Sequence, residues 1–121
     1  MHIEWEIDIS LASKSAFKSF KKQHEREFVS CFANLNKIVT ALNSGKKVAA
    51  LANNPAFFRP EGMGVFRIGQ TGVGSAKESR LYVYPDEKSS IVYVLAIGTK
   101  ETQNKDIASS KKMIAQLSRN S

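Results

Sequence analysis

Four cations lie on or beside three predicted strands in the second half of the chain. Arg67 stands between two apolar residues of a strand, so its side chain points to the opposite face from theirs. Arg80 opens the next strand, Lys100 follows the last strand, and Arg59 precedes the first of the three. If these strands pair as a meander, the cations converge on a sheet face that no helix covers. A guanidinium group can donate two parallel hydrogen bonds to phosphate oxygens because its N–H donors lie in one plane. Such a face therefore suits a phosphodiester.

Aromatic residues on the same strands extend this chemistry towards RNA. Tyr82, with Tyr84 and Tyr93, can stack on unpaired bases, which is how single-stranded RNA is commonly held. Lys105, beyond the last strand, adds a cation for the RNA backbone. The alternative is an ordinary solvated strand face with surface cations. The sequence leaves both interpretations open.

Three other motifs lack the residues that their chemistry needs. The glycine-rich stretch 69–75 resembles a phosphate-binding loop, but no Lys-Ser or Lys-Thr pair follows its last glycine. His24 begins a zinc-protease-like helix motif without a second histidine four residues later. Cys31 lies between two phenylalanines and is typical of a small core residue rather than a nucleophile. We expect neither a bound metal nor a cofactor.

Composition limits the class of protein. The 121 residues carry 18 Lys and Arg against 11 Asp and Glu, a formal net charge of +7 that is spread over both halves of the chain. This charge favours a polyanion or an acidic protein as partner, although a basic protein without either would also have it. One cysteine excludes an internal disulfide, and the longest apolar run, residues 91–97, is too short to span a membrane. We expect a single cytoplasmic domain over residues 1–121.

The first half predicts one strand and two helices. Apolar and acidic residues alternate over residues 3–9, which indicates a half-buried strand whose inner face holds Ile3, Trp5, Ile7 and Ile9. Ser10 or Ser13 can cap the helix that follows. Apolar residues then recur at steps of three and four from Phe17 to Leu42, with a predicted break near residues 23–26 and a stop at Gly45.

The second half predicts three strands and a final helix. Residues 52–64 indicate a loop because they contain two prolines and two glycines. Strands are predicted over residues 65–69, 80–84 and 91–97, a glycine-rich loop over residues 70–79, and a helix capped by Asn104. The last strand is apolar on both faces and should lie centrally. The order β-α-α-β-β-β-α predicts an α+β domain with a mainly antiparallel sheet and helices packed on one face.

Short motifs between residues 57 and 117 follow one family pattern. They are a basic strand (Phe66-Arg67-Ile68), a strand similar to the family's R-L-x-Y strand (Ser79-Arg80-Leu81-Tyr82-Val83-Tyr84), a turn (Asp86-Glu87-Lys88) and an apolar strand that ends in Gly98 and a cation (residues 92–100). In these motifs and in its order of elements the chain resembles the RelE/HigB superfamily of type II toxins, the ribosome-dependent mRNA endonucleases. A RelE-like fold is therefore expected.

The resemblance implies roles for three cations. Arg80 matches the family arginine that contacts the scissile phosphate, and Arg67 matches a basic residue that stabilises the transition state. Lys100 matches the cation that ends the last strand. The chain departs from the pattern after this point: residues 103–105 are Gln, Asn and Lys, where family members have a tyrosine or a histidine.

The implied reaction is attack of a ribose 2′-OH on the adjacent phosphate, which leaves a 2′,3′-cyclic phosphate and a 5′-OH. Lys100 or Lys105 would carry the proton. The resemblance also implies an antitoxin that shields these cations, and mRNA and the ribosome as further partners. The alternative is a non-catalytic nucleic-acid- or protein-binding module on the same fold, which the missing tyrosine or histidine favours.

Overall fold

A five-stranded sheet forms the centre of the computed structural model, which describes residues 4–74 and 77–120. The strands are β1 (Glu6–Asp8), β2 (Phe58–Gly62), β3 (Val65–Gly69), β4 (Ser79–Asp86) and β5 (Ile91–Thr99). The helices are α1 (Lys14–Gln23), α2 (Glu25–Asn43), α3 (Val48–Leu51) and α4 (Gln103–Asn120), and a 3-10 turn, Lys100–Thr102, precedes α4. The strand order is β1-β5-β4-β3-β2, with β1 parallel to β5 and the other neighbours antiparallel. The predicted α+β class is confirmed, and β5 is an interior strand between β1 and β4, although the central strand is β4.

Strand β2 lies inside the region that the sequence indicated as a loop. It forms a hairpin with β3 through a turn in which Met63 and Gly64 both have positive φ. A β-carbon at Gly64 would lie 2.9 Å from the Tyr84 ring, so this position requires glycine. Pro60 is tolerated because β2 is an edge strand with a register shift between Pro60 and Gly62.

The helices cover both faces of the sheet, which corrects the prediction that they pack on one face. On one face Leu81 and Val83 of β4 belong to a core cluster with Leu35 of α2. On the other face Tyr82 of β4 clusters with Ile114 of α4. Successive residues of a strand point to opposite faces, so a strand that is apolar on both faces needs a cover on each. The cations therefore do not lie on an uncovered face.

The break between the first two helices falls where the sequence predicted it. Helix α1 ends at Gln23, α2 begins at Glu25, and His24 between them has φ of −136°, outside the helical region. The Ser13 hydroxyl caps α1 by accepting from the Ala16 amide at 3.3 Å. The predicted Asn104 cap is wrong, because α4 begins one residue earlier and Thr99 instead forms a capping box on the 3-10 turn.

The first strand is shorter and more exposed than predicted. Only Glu6–Asp8 pair with β5, and Ile3 of the predicted strand lies outside the described residues. Ile7 and Ile9, expected on a buried face, are 39% and 57% exposed. Strand β1 lies at the edge of the sheet. The alternation of apolar residues in its sequence predicts a strand, but it does not indicate whether another element covers the apolar side chains.

Candidate functional site

Three arginines of the antiparallel strands line one cavity. Arg59 of β2 pairs in register with Arg67 of β3, and Arg80 of β4 pairs with Gly69 of β3. This register places all three side chains on the face of the sheet that also carries α4. They border an open cavity of about 540 Å³, which we call the arginine cavity, together with the glycine-rich segment 69–73. The alternation that predicted a shared face for Arg67 and Arg80 is thus correct.

Carboxylates hold two of these arginines. The Arg80 Nη2 lies 3.0 Å from Glu78 Oε2, and the Arg67 Nε lies 3.6 Å from Glu61 Oε1. The side chains of Arg67 and Arg80 are only 17% and 13% exposed, so their guanidinium groups are held in place rather than freely solvated. A bound phosphate would compete with these carboxylates for the same N–H groups. The sequence analysis did not identify either glutamate as a partner.

Arg59 differs from the other two arginines of the cavity. It is exposed, and its Nε donates to the Ala56 carbonyl oxygen at 3.1 Å. Among the described residues it has no carboxylate partner. Arg67, by contrast, has a polar partner besides Glu61: its Nη1 donates to Oε1 of Gln103, the first residue of α4, at 3.1 Å. The cavity therefore combines two largely buried arginines, each beside a carboxylate, with one exposed arginine that has no carboxylate partner among the described residues.

The glycine-rich segment is anchored to helix α2. Asn34 is buried, and its Nδ2 donates to the Gly69 carbonyl oxygen at 2.8 Å. The Thr71 amide donates to Ser30 Oγ at 2.8 Å. Sequence reasoning interpreted this stretch as a flexible loop, and its described part, up to Gly74, is fixed at these points. Ser30 and Asn34 are four residues apart on one helix face, and this polar pair beside the apolar stripe was the available signal.

Tyr82 is fully buried, so the prediction that its ring stacks on a base is wrong. It lies beneath α4, in the core cluster that also contains Ile114. Burial, and then the charge of Asp106, raise the pKa of its hydroxyl to about 12. Among the described residues the hydroxyl has no hydrogen-bond partner. Tyr84 and Tyr93 pack against each other with centroids 6.0 Å apart.

The two lysines predicted beyond the last strand lie outside the arginine cavity. Lys100 begins the 3-10 turn and borders a neighbouring cavity with Glu101 and Lys77. Glu78 lines both cavities, so Lys100 is adjacent to the arginines rather than among them. Lys105 is exposed in the first turn of α4 and is not part of the lining of the arginine cavity.

A close contact fixes the start of α4 against the sheet. Gly98 of β5 is buried, and a β-carbon there would overlap Asp106 Oδ2 and Thr102 Oγ1. Thr102 Oγ1 donates to Asp106 Oδ2 at 2.6 Å. Burial raises the pKa of Asp106 above its ordinary value, although the Thr102 hydrogen bond opposes this. Glycine at position 98 thus sets how closely α4, and with it Gln103, approaches the arginines.

A solved structure has a similar arrangement of elements. It is the E. coli toxin RelE in the free state, determined as a mutant with two arginines replaced by alanine. The TM-score is 0.56, the identity is 17%, and the match covers 93% of this chain and 99% of that chain. The chain has the RelE fold. This confirms the fold that the sequence motifs implied. No family model and no curated protein matches the chain.

Within residues 4–74 and 77–120, no group of three or more His, Cys, Asp or Glu side chains is placed to hold a metal ion. None of the helices that the structure describes is both long and apolar enough to cross a bilayer.

The sole cysteine, Cys31, is buried, and its thiol donates to the Ser79 carbonyl oxygen at 3.7 Å. Burial raises the pKa of Cys31 to about 12, so it is no nucleophile at neutral pH.

Proposed function

We propose that this RelE-fold protein is the toxin of a type II toxin–antitoxin pair and cleaves mRNA at the ribosomal A site. The observation that carries the proposal is the convergence of Arg59, Arg67 and Arg80 on one cavity. Arginine forks recognise phosphate oxygens bidentately and stabilise the negative charge that develops during phosphoryl transfer. The reaction needs neither a metal nor a cofactor.

Each arginine has a distinct part in the proposed reaction. Arg80 binds the scissile phosphate, and Arg67, held by Gln103, faces the pentacovalent transition state. Arg59, exposed at the rim, binds a neighbouring phosphate of the message, and Lys100 binds the RNA backbone beyond Glu78. Removal of one preorganised donor from such a site typically lowers the rate about 10²–10³-fold.

Glu78 is the group best placed to take the proton of the attacking 2′-OH. Among the described lining residues of the arginine cavity it is the one carboxylate, and it is 61% exposed beside Arg80. A phosphate that binds Arg80 displaces the Glu78 carboxylate and leaves it free to accept a proton. The oxygen of the leaving 5′-hydroxyl then receives a proton from Lys100 or from water, and a 2′,3′-cyclic phosphate remains.

The proposed partners follow from the same cations. The ribosome orients the message, which allows a site with few acid–base groups to act. An antitoxin with an acidic or amphipathic segment covers the arginines and becomes ordered on binding. The ribosome and the antitoxin would both be encountered in the cytoplasm, which is the proposed location of this protein.

Cleavage of a defined mRNA on programmed ribosomes, mapped by primer extension, tests the proposal. We expect wild type to cut within A-site codons and R80A and R67A to lose about 10²–10³-fold in rate. The matched control is K37A, which removes one exposed cation from α2 on the opposite side of the sheet and should cut normally. E78Q separates the roles of Glu78: a base predicts slower cutting, whereas a mere ion-pair partner predicts tighter RNA binding at an undiminished rate.

A non-catalytic RNA-binding module is the second candidate. It is favoured by one observation: the described lining of the arginine cavity contains no histidine and no tyrosine. This candidate predicts that R80A weakens RNA binding with no cleavage in any variant. Folded wild-type protein that binds RNA but makes no cut, with or without ribosomes, would replace the endonuclease proposal with this one.

A further inference from the structure

A second cavity lies where the β1–α1 connection meets helices α1 and α2. Its walls are Ile9 and Ala12 from the connection, Phe17 and Lys14 from α1, and Phe28 and Phe32 from α2. We call it the phenylalanine groove. Its volume is about 290 Å³, which suits the side chains of a bound peptide better than a complete small-molecule ligand. It shares no lining residue with the arginine cavity.

Apolar side chains of this groove remain accessible to solvent. Ile9 is 57% exposed, and Phe17, Phe28 and Phe32 are each only half-buried. Helix α1 contributes no fully buried residue to the core, although one of its faces is apolar. A contiguous apolar surface of this kind, open to water, marks an interaction site more often than a packing defect.

A stripe of lysines borders the groove. Helix α1 carries Lys14, Lys18, Lys21 and Lys22 and contains no acidic residue. At 3.6 residues per turn these four lie within an arc of roughly 100°, directly beside Phe17. All four are exposed, and in the described part of the chain none of them forms an ion pair. The Lys21 ammonium lies 5.8 Å from the centre of the Phe28 ring.

We propose that the phenylalanine groove binds an acidic amphipathic helix of a partner protein. The apolar face of such a helix inserts side chains between the phenylalanines, and its carboxylates pair with the lysine stripe. A nucleic acid fits less well, because the groove floor is apolar and the rings already contact one another. Phe28 and Phe32 have centroids 4.6 Å apart, and Phe17 meets Phe32 edge-on at 6.4 Å, so they do not form a flat stacking platform.

The separation of the two cavities gives the proposal a second consequence. A partner in the phenylalanine groove leaves Arg59, Arg67 and Arg80 open, unlike an antitoxin that shields the cations. RNA and the acidic helix should therefore bind together. The inference does not depend on the proposed RNA cleavage, because its test measures peptide binding and not catalysis.

The test uses the full chain and a fluorescent peptide probe, followed by fluorescence anisotropy. The probe has about 18 residues, long enough for a helix, with leucines at every third or fourth position and glutamates on the other face. We expect saturable binding that weakens as salt rises. Three peptides serve as comparisons: one with the same composition in scrambled order, one with glutamine for glutamate, and one with lysine for glutamate.

Protein variants locate the binding surface. I9E places a charge on an exposed lining residue, where the fold tolerates it, and should weaken binding of the acidic peptide about tenfold. The double variant K18E/K22E should weaken it similarly and should now bind the lysine peptide. K37E is the matched control, because Lys37 is an exposed lysine of α2 outside the groove, and it should bind like wild type.

Three results would overturn the proposal. The first is no binding of the patterned peptide, or binding no tighter than that of the scrambled one. The second is equal loss of binding in K37E and K18E/K22E, which would indicate charge alone. The third is displacement of the bound peptide by single-stranded RNA in the R80A variant, which would make the lysine stripe a nucleic-acid surface.

Discussion

The two faces of the sheet have opposite characters although the same strands build both. The face under α1 and α2 is mainly apolar: Leu81 and Val83 of β4 belong to one core cluster with Cys31 and Leu35 of α2. The face under α4 holds Arg67 and Arg80 at one end and buried Tyr82 in the middle. The arginines thus share their face with the smaller core cluster around Tyr82, whereas the larger core cluster lies on the opposite face.

Buried hydroxyls without a hydrogen-bond partner occur on both faces of the sheet. The hydroxyls of Tyr82 and of Ser110 on α4 are buried on the arginine-bearing side, and neither has a hydrogen-bond partner within the described residues. Unpartnered buried hydroxyls cost stability. The Ser79 hydroxyl, one residue from Arg80 and on the opposite face of β4, is a third such group, so both faces carry this cost.

Substitutions at two neighbouring residues of β4, one on each face, test most directly how much each face contributes to stability. L81A should lower the free energy of unfolding by about 3 kcal/mol, because Leu81 is fully buried and its loss leaves a cavity. R80A, one residue away on the other face, should change it by less than about 1 kcal/mol. Urea denaturation of both variants measures the difference. Equal losses would show that the arginine side carries as much of the stability as the apolar side.

A milder change tests geometry on the polar face alone. R80K keeps the charge but loses the planar fork, so we expect cleavage about tenfold slower than wild type, with RNA affinity nearly unchanged. The rate should still exceed that of R80A. Single-turnover cleavage and RNA binding measured on the same preparations separate the two effects. If R80K cuts as fast as wild type, charge alone explains the site.

Removal of the Tyr82 hydroxyl tests how much an unpartnered buried polar group under α4 lowers the free energy of unfolding. Y82F deletes the buried, unpartnered hydroxyl and keeps the ring, so we expect the free energy of unfolding to rise by about 1 kcal/mol. The control is Y84F, whose hydroxyl belongs to a half-buried residue nearer the surface and should matter less. A destabilised Y82F would mean that the hydroxyl is satisfied in solution.

The smallest effect concerns pH. Burial raises the pKa of Asp106 above its ordinary value of 3.8, so its ionisation destabilises the fold as the pH rises above 3.8, and the loss is complete once the pH exceeds the folded-state pKa. D106N should therefore gain in melting temperature relative to wild type as the pH rises from about 4 to neutral. Asp8 is the opposite case, because hydrogen bonds from Ser10 lower its pKa. The Asp8 carboxylate stabilises the fold above its ordinary pKa of 3.8, and this contribution is lost as the pH falls below that value. D8N should therefore lose stability relative to wild type as the pH rises from about 2 to about 4, and shifts of both variants in the same direction would contradict this account.

Local patterns in the sequence predicted much of this arrangement. The position of Arg67 between apolar neighbours fixed its face, and the three-and-four spacing identified α1 and α2 with the break between them. Strand β2 was missed because Pro60 and Gly62 indicate a loop unless the strand is known to lie at an edge.

The remaining errors concern tertiary placement. No local signal states that α4 crosses to the second face, and the burial of Tyr82 follows only from that placement. The same holds for Glu61 and Gln103, which reach Arg67 from different elements. Contacts between distant segments depend on the angle at which helices and strands pack, which a single sequence does not encode in any short motif.

Cys31 has a practical consequence for experiments on the ribosome. It is the only cysteine in the chain, and both its burial and its raised pKa keep it unreactive towards thiol reagents in the folded protein. A cysteine introduced at exposed Lys37 would therefore accept a fluorophore alone, without prior removal of the native thiol. Delayed labelling of Cys31 itself would in turn record each opening of the apolar face.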